Sequence, residues 1–202
     1  MNNIEQALTD LKAGKLIVVA DDPDREGEGD LLGVAEYATP PETVNTMITL
    51  ARGLVCVPMT EEWAERQGLD RMTDVNNDAF GTPFLVSADA RTTSTGISAF
   101  DRADTIKQMA DPKSTFADFY HPGHVFPLHA AVGGLKERDG HTEAGVALAE
   151  LTSDSPVAYI CEIIKPDGHM AKGGQELVDF SDEHGFTMIT IDDLIAYLNQ
   201  QN

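Results

Sequence analysis

Residues 16–30 read LIVVADDPDREGEGD, an apolar run followed directly by six acidic residues and one arginine. The run 16–20 has the length and β-branching of a buried strand, and the Gly- and Pro-containing segment after it predicts a loop. Carboxylates packed this densely repel one another, and a divalent cation with oxygen ligands would relieve that repulsion. The stretch therefore predicts a strand that ends in an acidic, metal-binding loop, where Arg25 can hold an anionic group beside the metal.

Two other interpretations of the acidic loop compete with this one. A solvated surface turn is the usual fate of a charge run. A calcium loop of the EF-hand type would match the acidic and glycine positions as far as Asp30, but Gly33 stands where the bidentate Glu belongs. The strand pattern before the loop, where an EF-hand has a helix, also disfavours the calcium loop.

Length and charge restrict the class of protein. A chain of 202 residues is expected to form a single domain over residues 1–202, with a substantial core. The net charge of −20 argues against binding to nucleic acid or to an anionic membrane surface, since both need a basic patch. No apolar segment resembles a signal peptide or a membrane span, so a cytoplasmic location is expected.

The remaining sequence alternates helical and strand patterns, which predicts an α/β fold. An N-terminal helix is expected to end at Gly14, and the other predicted helices cover residues 39–52, 60–68, 99–109, 175–184 and 192–198. Further strands are predicted over residues 54–59, 84–89, 157–164 and 186–189. Cys56 and Cys161 lie in apolar contexts and are expected to be buried thiols. Cys56 could face either the core or the site, and the core is the favoured interpretation.

Three histidines fall within residues 121–129, where Pro and Gly predict a loop. A lone histidine is usually structural, although an imidazole is in general suited to shuttling a proton near neutral pH. A helix predicted to start near Thr142 follows Arg138 and His141, so backbone N–H groups, a guanidinium and an imidazole could bind an anion there.

Glu162 interrupts the apolar run 157–164, and it is either a surface residue or a desolvated acid–base group.

Four of these segments together resemble 3,4-dihydroxy-2-butanone 4-phosphate synthase, an enzyme family of riboflavin biosynthesis. They are the acidic loop 21–30, PGHVFPL at 122–128, RDGHTEA at 138–144 and the Cys161-Glu162 pair. The chain departs from the family at Gly27, where Asn is usual, which loosens the loop without removing a charge. The resemblance implies a three-layer α-β-α single domain with a mixed β-sheet, without the GTP cyclohydrolase II domain found in some relatives.

The resemblance also implies a reaction and its residues. D-Ribulose 5-phosphate would be converted to L-3,4-dihydroxy-2-butanone 4-phosphate and formate with Mg²⁺ or Mn²⁺, two ions per site, in a homodimer whose sites lie near the subunit interface. Glu26 and His141 would bind metal, while His124 and Glu162 would transfer protons. The expected substrate-binding residues are Arg25, Glu26, Asp30, Arg138, Asp139, Gly140, His141, Thr142 and Glu162. The other acids of the loop would orient ligands and water, and Thr93 and Thr95 are secondary candidates for substrate contacts.

Two further functional classes remain open at this point. A metal-dependent sugar-phosphate isomerase or phosphatase could use the same metal and anion pocket, although no Asp-x-Asp-x-Thr nucleophile motif follows a strand. A non-catalytic calcium-binding module is the other alternative. Cation preference separates them, because the synthase should require Mg²⁺ or Mn²⁺ whereas the module would bind Ca²⁺ without turnover.

Overall fold

A computed structural model describes residues 3–36 and 40–201. The helices there are α1 (Asn3–Lys12), α2 (Pro41–Leu50), α3 (Glu61–Arg66), α4 (Ala99–Ala110), α5 (His141–Thr152), α6 (Gln175–His184) and α7 (Ile191–Gln201). The strands are β1 (Ile17–Ala20), β2 (Gly29–Val34), β3 (Cys56–Met59), β4 (Ala88–Ala90), β5 (Phe119–His129), β6 (Ala158–Glu162) and β7 (Met188–Thr190). Strands and helices alternate along the chain, which confirms the predicted α/β class.

The strands form one seven-stranded sheet in the order β4-β5-β3-β6-β2-β1-β7. The β1–β7 and β3–β5 pairs are parallel, while the pairs of β1 with β2, β2 with β6, β3 with β6 and β4 with β5 are antiparallel. The sheet is therefore mixed, as the resemblance implied.

Helices cover both faces of this sheet. Alternate side chains of β1 point to opposite faces, so Val18 packs into one apolar cluster and Val19 into the other. Helices α2, α3, α4 and α6 contribute to the first cluster, whereas α1, α5 and α7 contribute to the second. The architecture is three layers, with the sheet as the middle one.

Most predicted elements are present with shifted ends. Thr60 caps α3 by accepting a hydrogen bond from the Trp63 N–H, and Gly14 follows α1 with a φ of 75°. The helix predicted over residues 39–52 is α2, and its predicted first residue, Thr39, lies outside the described residues. Both cysteines are free and buried, as expected.

The prediction of a loop at residues 121–129 is wrong, because these residues belong to strand β5. Their buried side chains Val125 and Leu128 pack in the core, and Phe126 pairs with Cys56 of β3. The Pro- and Gly-rich part is accommodated by a shift in register against β4 between Ala88 and Asp89. A bulged strand tolerates such residues where a regular ladder would not.

Two local features concern strand β3 and helix α7. Pro58 lies within β3, opposite Leu128 of β5. Helix α7 is capped by Thr190, whose hydroxyl accepts a hydrogen bond from the Asp193 N–H. In the described part of the chain, no helix combines the length and apolar character needed to span a bilayer.

Candidate active site

One pocket gathers most of the predicted site residues. It lies where the acidic loop, strands β2, β3, β5 and β6 and the start of α5 meet. The residues that line it are Glu26, Glu28, Asp30, Cys56, Thr82, Phe84, Leu128, Arg138, His141, Thr142, Ile160 and Glu162. Segments far apart in sequence therefore bring carboxylates, an imidazole and a guanidinium to one place.

The acidic loop is organised by Asp21, whose side chain is almost completely buried. The Asp21 carboxylate accepts hydrogen bonds from the backbone N–H of Asp22 and from Arg25 Nη1, the latter at 2.7 Å. Arg25 also lies 3.1 Å from Glu26 and 3.5 Å from Asp139. These bonds fix the loop, so its acids have defined positions.

Asp21, Glu26 and His141 can each direct one ligand atom to a common point, with these atoms within 4.8 Å of one another. Two carboxylates and one imidazole are a donor set that suits a hard divalent cation such as Mg²⁺ or Mn²⁺. The calcium-loop interpretation does not fit, because Asp22 and Asp24 are exposed and Asp30 lies in a strand. The predicted ligands Glu26 and His141 are thus close together, and Asp21 joins them.

The tautomer of His141 follows from its one hydrogen bond to the backbone. Its Nε2 lies 3.1 Å from the carbonyl oxygen of Val19, a group that can only accept a hydrogen bond. Nε2 must therefore carry the proton, which leaves the lone pair on Nδ1 available for a metal. A carbonyl that orients a metal-binding imidazole in this way is a common supporting contact.

Asp30 and Glu162 form a carboxyl pair on neighbouring strands. They are directly opposite each other in the antiparallel pairing of β2 with β6. Burial, reinforced by the charges of Glu162, Glu26 and Glu28, raises the pKa of Asp30 to about 7. Asp30 Oδ1 has no hydrogen-bond partner in the described part of the chain, whereas Glu162 Oε2 accepts a bond of 2.8 Å from the Leu54 N–H.

The start of α5 carries the predicted anion-binding segment. The helix begins at His141 with Gly140 as its N-cap, and no side chain of the described residues caps it. Arg138 Nη1 is 2.6 Å from the fully buried Glu143 carboxylate. A side chain at Gly140 would overlap Arg138 Nη1 and would come within 3.0 Å of Arg25 Nη2. Two guanidinium groups thus flank the free N–H groups of a helix N-terminus, a geometry suited to a phosphate.

Some predicted residues lie outside the pocket. The described lining does not include His124, which is on β5 and bonds to Asp89. It also does not include Arg25, Gly140 or Asp139, whose exposed carboxylate faces Arg25. Thr93 donates its hydroxyl hydrogen to the Ala90 carbonyl, and Thr95 is exposed; neither is a lining residue.

Sequence reasoning missed or misplaced other lining residues. Cys56, expected to face the core, packs in the core and also lines the pocket. Thr82 and Phe84 line it although their segment has no motif that points to a site. Asp89 bonds His124 but does not line the pocket. It stands out in the sequence as an acid at the end of an alternating apolar pattern, although that pattern does not reveal its contact with His124.

Comparison with known proteins gives consistent matches over almost the whole chain. The sequence profile described as 3,4-dihydroxy-2-butanone 4-phosphate synthase matches residues 5–197. The chain is 52% identical to 3,4-dihydroxy-2-butanone 4-phosphate synthase of Oceanobacillus iheyensis over 201 residues, which cover 100% of this chain and 96% of the relative. It is 53% identical to the riboflavin biosynthesis protein RibBA of Bacillus cytotoxicus over 196 residues, covering 97% of this chain and 49% of the relative, so it spans about half of that protein's length.

Two solved structures share the fold of this chain and are similar to it in sequence. A 3,4-dihydroxy-2-butanone 4-phosphate synthase in complex with two magnesium ions superposes with a TM-score of 0.92 at 39% identity, covering 99% of this chain and 98% of the other. RibBX from A. baumannii, a two-domain synthase, superposes with a TM-score of 0.91 at 43% identity, covering 96% of this chain and 57% of the other.

Proposed function

The chain belongs to the 3,4-dihydroxy-2-butanone 4-phosphate synthase family, and on that premise we propose how its pocket residues carry out the family's reaction. It is an enzyme of riboflavin biosynthesis, a lyase that forms 3,4-dihydroxy-2-butanone 4-phosphate. The substrate is D-ribulose 5-phosphate, and the second product is formate. The observation that carries the assignment is the convergence of a metal-ligand group, the N-terminus of α5 and the carboxyl pair on β2 and β6 in one pocket.

We assign metal binding to Glu26 and His141, with the Asp21 carboxylate within reach of the same ion. The proposed number is two ions of Mg²⁺ or Mn²⁺ per site, which is supported by the similar structure named for its two magnesium ions. When bound, the metal would polarise the substrate ketone and stabilise the negative charge that develops on its oxygen.

The substrate phosphate is proposed to bind at the start of α5. Arg138 supplies a guanidinium, and the segment 138–142, which includes Asp139 and Gly140, supplies backbone N–H groups; Thr142 adds a hydroxyl. Arg25 and Asp30 are proposed to hold the substrate hydroxyls, since Arg25 flanks Gly140 and Asp30 lines the pocket. This arrangement would orient the sugar with its phosphate at the helix and its carbonyl end at the acidic loop.

Glu162 or Asp30 is proposed to remove the proton at carbon 3, and His124 to return a proton later. The first step gives the enediol of the substrate, which then loses water. A carbon shift follows, and water adds back as carbon 4 leaves as formate, so that the five-carbon phosphate equals the sum of its two products. Acid and base groups with different surroundings support this division of roles.

The enzyme is further proposed to act as a homodimer. His124 is absent from the described lining of its own chain's pocket, and in a homodimer the His124 of a second copy could reach that pocket. Apolar side chains are exposed around the same region of β5, and they would be covered in such a dimer; they include Ile97, Phe100, Phe116 and Tyr120. We also propose that it acts in the cytoplasm, on a small molecule and not on nucleic acid, and that residues 1–202 form one synthase domain.

Incubating the purified chain with ribulose 5-phosphate and magnesium tests the proposal. The expected result is one formate for each four-carbon phosphate formed, with loss of both when a chelator is added and recovery when Mg²⁺ is restored. Isomerised sugar phosphate without formate would indicate an isomerase, and free phosphate without formate a phosphatase. Either result would overturn the proposed reaction.

A further inference from the structure

His124 is held by two hydrogen bonds to a single carboxylate. Its backbone N–H donates to Asp89 Oδ1 at 2.8 Å, and its ring Nδ1 lies 2.7 Å from Asp89 Oδ2. The Asp89 side chain is 10% exposed, whereas that of His124 is 45% exposed. The carboxylate is therefore inside the protein and the imidazole extends from it towards the surface.

This contact decides which ring nitrogen of His124 carries the proton. An ionised carboxylate can only accept hydrogen bonds, so Nδ1 must be the donor. In the neutral imidazole the lone pair is then on Nε2, the nitrogen on the side of the ring away from Asp89. When Nε2 accepts a proton, the imidazolium that forms lies against a negative charge that already holds the ring in place.

The backbone around the pair is built to bring the two side chains together. Ala88 pairs with Val125 while the next residue, Asp89, pairs with Tyr120, so residues 121–124 bulge out of the ladder beside Asp89. Gly96, at a φ of 85°, packs against both groups, and a Cβ there would overlap Asp89 Oδ2 and His124 Nδ1. Bulges that aim one side chain are common next to active sites.

We propose that Asp89 is the positioning residue of His124, which fixes the tautomer with the lone pair on Nε2 and stabilises the protonated ring. This inference rests on the proposed role of His124 in proton transfer. Both carboxylate oxygens of Asp89 bond His124 and the side chain is only 10% exposed, so Asp89 acts through the histidine and not on the substrate.

Asp89→Asn tests the role with little change of shape. Its amide oxygen can still accept from the His124 backbone N–H, but its NH₂ group then faces Nδ1 and favours the opposite tautomer. We expect kcat to fall by about 10²-fold or more, in the range of a lost acid–base group, while KM for ribulose 5-phosphate changes by less than about threefold. Asp89→Glu retains the carboxylate and should keep more activity than Asp89→Asn.

Asp10→Asn is the matched control, because Asp10 and Asp89 are equally buried, each with 7% of the whole residue exposed. Asp10 bonds Lys15 and Thr187 and contacts neither His124 nor the pocket. Asp10→Asn should leave kcat within about twofold of the wild type. That result would show that the fall in kcat of Asp89→Asn comes from loss of the Asp89 carboxylate and not from loss of any buried carboxylate.

The tautomer itself can be read in the wild-type enzyme by nitrogen-15 NMR of the imidazole rings, with the His124 signals assigned from their loss in His124→Gln. The inference predicts a proton on Nδ1 of neutral His124 and a shift of the signals in Asp89→Asn. A proton on Nε2 in the wild type would overturn it, and this result does not depend on whether any variant folds. If His124→Gln is inactive but Asp89→Asn keeps kcat within threefold, the inference is wrong and the role of His124 stands. If His124→Gln forms formate at the wild-type rate, the proposed role of His124 is what fails.

Discussion

Asp30 and Glu162 lie opposite each other on adjacent antiparallel strands, and both line the same pocket. Asp30 is fully buried with one unpartnered oxygen among the described residues, whereas Glu162 is partly exposed and accepts a hydrogen bond from the Leu54 N–H. The register of β2 against β6 thus places two carboxyl groups in one pocket, where their surroundings differ.

The first prediction concerns stability of the metal-free enzyme against pH. The pKa of Asp30 rises from 3.8 to about 7 on folding, so the folded state binds the extra proton between these values. Stability of the wild type should therefore fall as pH rises through this window, by about 1.4 kcal/mol per pH unit from this group. Asp30→Asn removes the effect. We measure the free energy of unfolding in urea, with a chelator present, at pH 5 and at pH 8. Between these two pH values, the difference in this free energy between Asp30→Asn and the wild type should change by about 3 kcal/mol in favour of the variant.

Asp10→Asn provides a control of opposite sign. Burial would raise the pKa of Asp10, but hydrogen bonds from Thr187 and Lys15 outweigh it and the pKa is lowered. Its carboxylate therefore contributes stability above its unfolded pKa, and Asp10→Asn should lose stability at pH 8. Equal pH profiles for Asp30→Asn and the wild type would contradict the assignment of Asp30 as a buried, proton-binding carboxyl.

A second prediction concerns the space beside Glu162. A Cβ on Gly53 would lie about 2.5 Å from both the backbone oxygen and Oε2 of Glu162. Gly53→Ala should displace the glutamate and break its bond to the Leu54 N–H, so we expect kcat to fall by about 10²-fold. Formate release measures the loss. Gly173→Ala is the control, because its Cβ would meet only ordinary contacts at 3.7 Å or more. A comparable loss of kcat in Gly173→Ala would mean that the loss in Gly53→Ala does not come from displacement of Glu162.

Local pattern was sufficient to predict the α/β class and the acidic loop, whereas the three layers and most site residues came from the family resemblance. The apolar run at 16–20 and the acids after it predicted β1 and its loop, because a buried strand and a charge cluster each leave a direct mark on composition. The resemblance named Glu26, Asp30, Arg138, His141, Thr142 and Glu162 as site residues, and the pocket brings all six together. Their proximity arises from sheet order, in which β2 and β6 are neighbours although they are far apart in sequence.

The failures have a common cause in tertiary context. Residues 121–129 have the composition of a loop, but pairing with β3 and a bulge against β4 make them a strand. Cys56 has an apolar neighbourhood in sequence, and only the packing of β3 beside β6 shows that it also borders the pocket. The Asp89–His124 pair joins residues 35 positions apart, and no local signal reports a contact of that kind.

A third prediction separates two acids of the same loop. Asp21 is buried and belongs to the ligand group with Glu26 and His141, whereas Asp24 is exposed and outside it. Asp21→Asn should raise the magnesium concentration needed for half-maximal formate release by about 10- to 100-fold. Asp24→Asn makes the same change of charge and should shift it by less than about twofold. Equal shifts in the two variants would mean that the loop acts through its net charge and not through a defined site.

The fourth prediction uses the position of His124 outside the pocket of its own chain. Suppose that each site combines Glu162 of one chain with His124 of the other, as the proposed homodimer requires. His124→Gln and Glu162→Gln should then each lower kcat by about 10²- to 10⁴-fold on their own. Refolding an equal mixture of the two should produce hybrid dimers with one intact site. With random pairing, formate release should recover to about a quarter of the wild-type rate.

The control for this experiment pairs two variants of the same pocket. Glu162→Gln and Asp30→Asn change residues that line one pocket of a single chain, so every site in their hybrid keeps a defect and no recovery is expected. Sedimentation should show a dimer in each mixture. Recovery in both mixtures would point to mixing artefacts, and recovery in neither, with dimers present, would place His124 and Glu162 of the same chain in one site. That last outcome would require the segment 121–124 to move towards the pocket, because in the structure its histidine is bound to Asp89.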